Sequence, residues 1–154
     1  MLPSQPTRWL HRLSTFRRLP PDDRGGLLLA WVLLLCLRLL CRLIGVRASL
    51  GCLRWLTMGA APSPPPTDWI CRQVELVHCA ARYCPVPATC LVRAMTLWFL
   101  LARRGVVGDI ILGVAKTPAS LEAHAWVEWQ GAPLMEAPDV RQRYAVFDAP
   151  LSAA

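Results

Sequence analysis

The stretch "HAWVEWQGAPLME", residues 124 to 136, decides how the second half of the chain folds. Alternation sets His124, Trp126 and Glu128 on one face of an extended strand and Ala125, Val127 and Trp129 on the other, with Ala123 joining the second set. "WQGAP" reads as a turn, and "APLME" as the returning strand. Upstream, "DIILGVAK" (109 to 116) is rich in β-branched residues and supplies another strand. Before Gly105 the period is helical. In "CPVPATCLVRAMTLWFLLARRGV" the prolines 85 and 87 end the preceding segment and Thr89 is the cap. Leu91, Met95, Trp98 and Ala102 then mark one helical face, and Gly105 terminates the helix after Arg103 and Arg104. "DWICRQVELVHCAARY" spaces Ile70, Val74, Val77 and Ala81 as an earlier helix. Helices first and an antiparallel sheet after them predict an α+β domain.

The chain has 154 residues, which fits one domain able to bury about two thirds of its unfolded surface. Its 55% hydrophobic content raises the prospect of a membrane-facing or partner-facing surface. The net charge of +7 is uneven. Up to Ala60 nine arginines (8, 12, 17, 18, 24, 38, 42, 47 and 54) face only Asp22 and Asp23, whereas the remainder carries eight bases and eight acids. The organisation expected is a basic, leucine-rich helical region over 1–58, a proline-rich linker over 59–66 stiffened toward polyproline II, and a core over 67–150. Within residues 27–46 only eleven apolar residues precede Arg38, short of the roughly 20 a spanning helix needs. That favours a helix buried or docked on a partner, with a membrane-surface helix next and a true span last. Nothing in the arginine pattern interleaves aromatics in the manner of a nucleic-acid surface.

Seven cysteines (36, 41, 52, 71, 79, 84 and 90) match neither a disulfide framework nor a zinc pattern, and point to a reducing, cytoplasmic setting. Cys90 stands apart because it opens a helix. Unpaired backbone N–H groups and the positive end of the dipole favour its thiolate and can receive an oxyanion. His124, with small neighbours at 123 and 125, is the base that could take the thiol proton. A third group should orient the imidazole. With an odd-residue loop centred on Gln130, Glu136 lies opposite His124. A two-residue turn at Gln130 and Gly131 would pair His124 with Ala137 instead, and Asp139 or water is the substitute. His78 is expected to be a partly exposed helix residue with no chemical role. No cofactor or metal is expected, and phosphate-binding glycine loops are absent.

The order Cys90, His124, acid resembles transglutaminase-like and papain-like cysteine hydrolases. "CLVRAMTLWFLLARRGV", "LGVAKTP", "AHAWVEWQGAPLME" and "DVRQRYAVF" together resemble the stand-alone leader peptidase of lasso-peptide biosynthesis, over about residues 15 to 150. The resemblance implies that Cys90 is the nucleophile and His124 the base, and that Glu136 stands where the family usually carries aspartate. It also implies a cysteine endopeptidase that removes the leader from a ribosomally made precursor, acting with a separate small leader-recognition protein and an asparagine-synthetase-like cyclase. Two other readings stay open. One is acyl transfer to an amine by the same residues. The other is a non-catalytic scaffold associated with the membrane surface through residues 27–46.

Overall fold

The computed structural model describes residues 20–59, 63, 65–116, 120–147 and 149–153. Four helices come first: α1 (Pro21–Leu43), α2 (Gly45–Thr57), α3 (Thr67–Arg82) and α4 (Cys90–Ala102). Strands β1 (Asp109–Lys116), β2 (Leu121–Trp129) and β3 (Ala132–Leu134) follow, then a single helical turn α5 (Val140–Arg143), the short strand β4 (Ala145–Val146) and a terminal 3-10 turn (Leu151–Ala153). The fold is α+β. Residues 60–62 and 64 of the proline-rich stretch expected over 59–66 lie outside the described residues, as do residues 1–19.

Helix α4 is the centre of the molecule. Nine of its thirteen residues are buried, too many for a one-faced amphipathic helix, because α1, α2 and α3 cover its sides while the sheet covers the rest. Thr89 caps it by accepting from Val92 N–H at 3.4 Å, a contact of the kind that contributes about 1 kcal/mol. At its far end Gly105, with φ +74°, turns the chain out toward β1. The indole N–H of Trp98 donates to the Gly108 carbonyl at 2.9 Å and ties the helix to the start of that strand.

Helix α1 buries Ala30, Leu34 and Leu37, a single stripe at spacings of four and three, in the same core as α4. Each leucine so buried contributes about 2 kcal/mol. Its opposite stripe leaves Leu28, Val32, Leu39 and Leu43 exposed. The segment Asp23–Leu43 is by length and composition apolar enough to cross a membrane, with a mean hydropathy of 2.1. Its inner stripe is nevertheless committed to the core, and polar ties hold the helices to the rest. Arg72 of α3 grips the Asp23 carboxylate (2.7 and 3.1 Å), Arg38 donates to the Pro87 carbonyl just ahead of Cys90, and Arg54 donates to the Ser152 carbonyl. Three arginines of the basic half or facing it thus have structural partners, whereas Arg42 and Arg47 remain exposed.

The sheet is antiparallel with strand order β3-β2-β1-β4. Its two faces separate as the alternation predicts. Ala125 and Val127 pack into the main core with α4, while Trp126 packs with Ile111 and Val140 in a second, smaller cluster on the other side. Gly113 pairs with His124 across β1 and β2. A Cβ at Gly113 would lie 2.8 Å from the Tyr144 Cβ and 3.1 Å from the Trp126 ring, so this position is kept free of a side chain to let those two rings approach.

Candidate active site

Cys90 is the first residue of α4 and half-buried. At that position its backbone N–H has no intrahelical acceptor, so the donor stays directed outward beside the thiol. Cys90 lines a small cleft together with Arg93, Ala94, Ala125, Trp126, Val127, Leu134, Met135 and Glu136. The cleft exists because β3 pairs only with residues 127–129 of β2, which leaves the edge of β2 open beside His124 and Trp126.

The hairpin corrects one expectation and explains why its outcome still arises. Trp129 pairs with Ala132, so the loop is the two-residue turn Gln130–Gly131 and not an odd-residue loop. Both residues have positive φ (52° and 78°), as the right-handed twist of a tight hairpin demands. In that register Glu136 would fall opposite Ala125 and its side chain would join the α4 face. The ladder instead stops at Leu134, two residues short of the strand expected over "APLME". Met135 adopts φ +67°, a left-handed conformation costing an unbranched residue about 1 kcal/mol, and swings the chain around the open edge. Glu136 Oε1 thereby comes to 3.1 Å from His124 Nε2. Both side chains retain about a fifth of their exposure (19% and 21%).

The alternative acid, Asp139, lies at the start of α5 and faces Arg143 at 3.5 Å. The structure therefore brings His124 and Glu136 together and sets Glu136 on the cleft of Cys90. Among the described residues no hydrogen bond joins the Cys90 thiol to the His124 ring, whose contacts are Glu136, Trp126 and Tyr144. Because Glu136 occupies Nε2, Nδ1 is the nitrogen left to receive a thiol proton.

Around the histidine, the period of two sets Trp126 and Glu128 on its face, whereas Tyr144, Arg141 and Arg93 are not singled out by the sequence. The Tyr144 ring lies 5.1 Å from the His124 ring at 29°, and the Trp126 ring lies 6.0 Å away at 26°. Glu128, 5% exposed, accepts from the Trp126 indole at 2.8 Å and from Arg141 Nε at 2.7 Å, with Arg141 Nη2 on its second oxygen. Arg93, one turn beyond Cys90, lines the cleft. Its Nε is buried without a partner among the described residues, while Nη2 lies 3.4 Å from Nδ1 of His78. Among the described residues no group of three or more His, Cys, Asp and Glu side chains could hold a metal ion.

The Glu128 carboxyl is held below the usual carboxylate range, chiefly by the hydrogen bonds from Arg141 and against the opposing push of burial, with the Trp126 indole and the Arg141 charge adding to the lowering. Arg72 acts the same way on Asp23. A depressed folded pKa stabilises the native state above the unfolded value, about 4 for these groups. That contribution is lost as pH falls through the folded value. Tryptophan fluorescence against pH should therefore show stability falling below about pH 4. Glu128→Gln should flatten this acid limb, whereas an unchanged limb would remove Glu128 from it.

No curated protein and no solved structure matches the chain. Residues 31–148, which include the C-terminal half of α1 and every site residue described above, match the transglutaminase-like superfamily, whose members include cysteine proteases and acyltransferases; the chain belongs to that superfamily.

Proposed function

We propose that the protein is a cysteine endopeptidase that removes the leader from a ribosomally made lasso-peptide precursor through an acyl-enzyme on Cys90. The observation that carries the reading is the 3.1 Å contact of His124 Nε2 with Glu136, an acid that also lines the cleft of a helix-opening cysteine. His124 takes the thiol proton at Nδ1, and the thiolate attacks the scissile carbonyl. The outward N–H of Cys90 receives the oxyanion. Collapse breaks the C–N bond, and the imidazolium gives its proton to the leaving amine. Water, deprotonated by the same ring, then attacks the thioester and releases a carboxylate with the thiol restored. Glu136 holds the ring and stabilises its cationic form.

The partners of this reading are the precursor with its leader and a separate small leader-recognition protein, with the asparagine-synthetase-like cyclase acting on the product. The exposed Leu39, Leu43 and Trp55 of α1 and α2 and the exposed Met58 that follows, together with the exposed Arg42 and Arg47, support docking of another protein or of a membrane surface. Mass spectrometry of precursor incubated with the chain and its leader-recognition partner tests the activity. The expected products are a leader ending in a free carboxylate and, on rapid acid quench, a thioester adduct on Cys90. A leader recovered only as an amide would make the enzyme an acyltransferase, and intact precursor would end the proposal.

A further inference from the structure

We propose that segment 140–144 is a clamp on the catalytic histidine, in which the Glu128–Arg141 pair seats α5 and so sets the Tyr144 ring against the face of His124. This deepens the peptidase reading and rests on it for the role of His124. In it Tyr144, Glu128 and Arg141 are positioning residues.

Residues 122, 124, 126 and 128 share one face of β2. The segment 140–144 lies along that face and is fixed at both ends, with His124 between the fixed points. At one end the Tyr144 hydroxyl donates to Glu122 Oε1 at 3.2 Å, and at the other Arg141 bridges both oxygens of Glu128. Val140, 0% exposed, pins the start of the segment by burial against Ile111 and Trp126. A helix of one turn has little stability of its own, so these attachments, with the pairing of β4 to β1 directly after Tyr144, determine where Tyr144 sits. Burial, with the hydrogen bond to Glu122, pushes the Tyr144 hydroxyl up, which keeps it a donor.

Two features fit a positioning role. Glu128 is buried in the sheet with its oxygens satisfied, while its partner Arg141 keeps 54% of its side-chain exposure, so the pair fixes the outer α5 to a rigid point on β2. Gly113 weakens the interior of β1 by leaving nothing to pack, yet it gives Tyr144 and Trp126 the space they occupy around His124. Touched by both rings, whose centroids lie 6.3 Å from each other, and by Glu136 at Nε2, the imidazole is restricted in rotation about its outer bond, which favours one direction for Nδ1.

The test uses the full chain with its leader-recognition partner and three variants. Tyr144→Phe keeps the ring, Tyr144→Ala removes it, and Glu128→Gln with Arg141→Met removes the pair without stranding a buried carboxylate. Tyr144→Ala and the double variant should lower kcat about tenfold to a hundredfold with KM nearly unchanged, as expected when a reacting group loses its orientation. Tyr144→Phe, which keeps the ring but gives up the anchor to Glu122, should fall between the parent and Tyr144→Ala. The second readout needs no substrate. In 15N ring spectra, with the His124 signal identified by its loss in His124→Gln, the parent should show the Nε2–H tautomer and Tyr144→Ala a mixture. Folded Tyr144→Ala, judged by near-UV circular dichroism, with the parent tautomer would overturn the clamp. A parent chain that cleaves nothing, but whose tautomer collapses to a mixture in Tyr144→Ala, keeps the clamp and removes the peptidase reading.

Discussion

Cys90→Ala should leave the precursor uncut, with a loss on the order of a millionfold in kcat, the scale on which removal of a nucleophile disables a cooperating set of residues. The substitution is structurally mild. Cys90 is half-buried at the first position of α4, the cap is supplied by Thr89, and alanine is the best helix former. The melting temperature should therefore move by no more than a few degrees, and binding of the leader-recognition protein should be unaltered. Cys79→Ala is the matched control. Burial pushes the Cys79 thiol up, toward the unreactive form, and this residue lies on α3 away from the cleft. Its cleavage rate should match the parent's. Equal rates for the two variants and the parent, followed by mass spectrometry over the same time course, would remove Cys90 from the chemistry.

How far the sequence discloses this arrangement depends on the range of the interactions involved. Helix α4 and strands β1 and β2 are legible because local signals agree: a Thr cap, a glycine terminator, β-branched runs and a period of two along 124–129. The separation of Ala125 and Val127 from Trp126 across the sheet follows from that period alone. The break between α1 and α2 is subtler. It rests on Gly45 at φ +82°, a conformation the glycine permits but whose use the leucine-rich surroundings hide. The hairpin shows the limit most clearly. Glu136 is readable as a partner for His124, but the odd-residue loop that would have put it there does not form. The contact arises from the left-handed turn at Met135, which no residue type at 135 announces. Tyr144, Arg141 and Glu128 are less legible still, since their pairing spans 13 to 22 residues and depends on a one-turn helix too short to leave a periodic trace.

The route by which Glu136 reaches the ring makes its length decisive. Glu136→Asp withdraws the carboxylate by one methylene, about 1.5 Å of chain, from a contact that already measures 3.1 Å and carries it out of hydrogen-bond reach. The backbone cannot easily follow, because Met135 is held at φ +67° and Leu134 is still paired with Val127. The expected outcome is a fall in kcat of about tenfold to a hundredfold, so that the aspartate usual in the resembled peptidases is the poorer residue on this backbone. Glu136→Gln keeps the reach but removes the charge that stabilises the imidazolium. Its amide can also present a donor to Nε2 and favour the wrong tautomer, which in a triad of this kind lowers kcat by up to about ten-thousandfold. The order of rates should therefore be parent, then Asp, then Gln, with KM nearly constant across the three. Asp139→Asn should remain within about twofold, since its carboxylate faces Arg143 at 3.5 Å on the far side of the bend and no orientation of the reacting groups depends on it. Steady-state kinetics on the precursor decides between the two acids: a large loss in Asp139→Asn with none in Glu136→Gln would transfer the orienting role to Asp139, and would require segment 136–139 to rearrange when substrate binds.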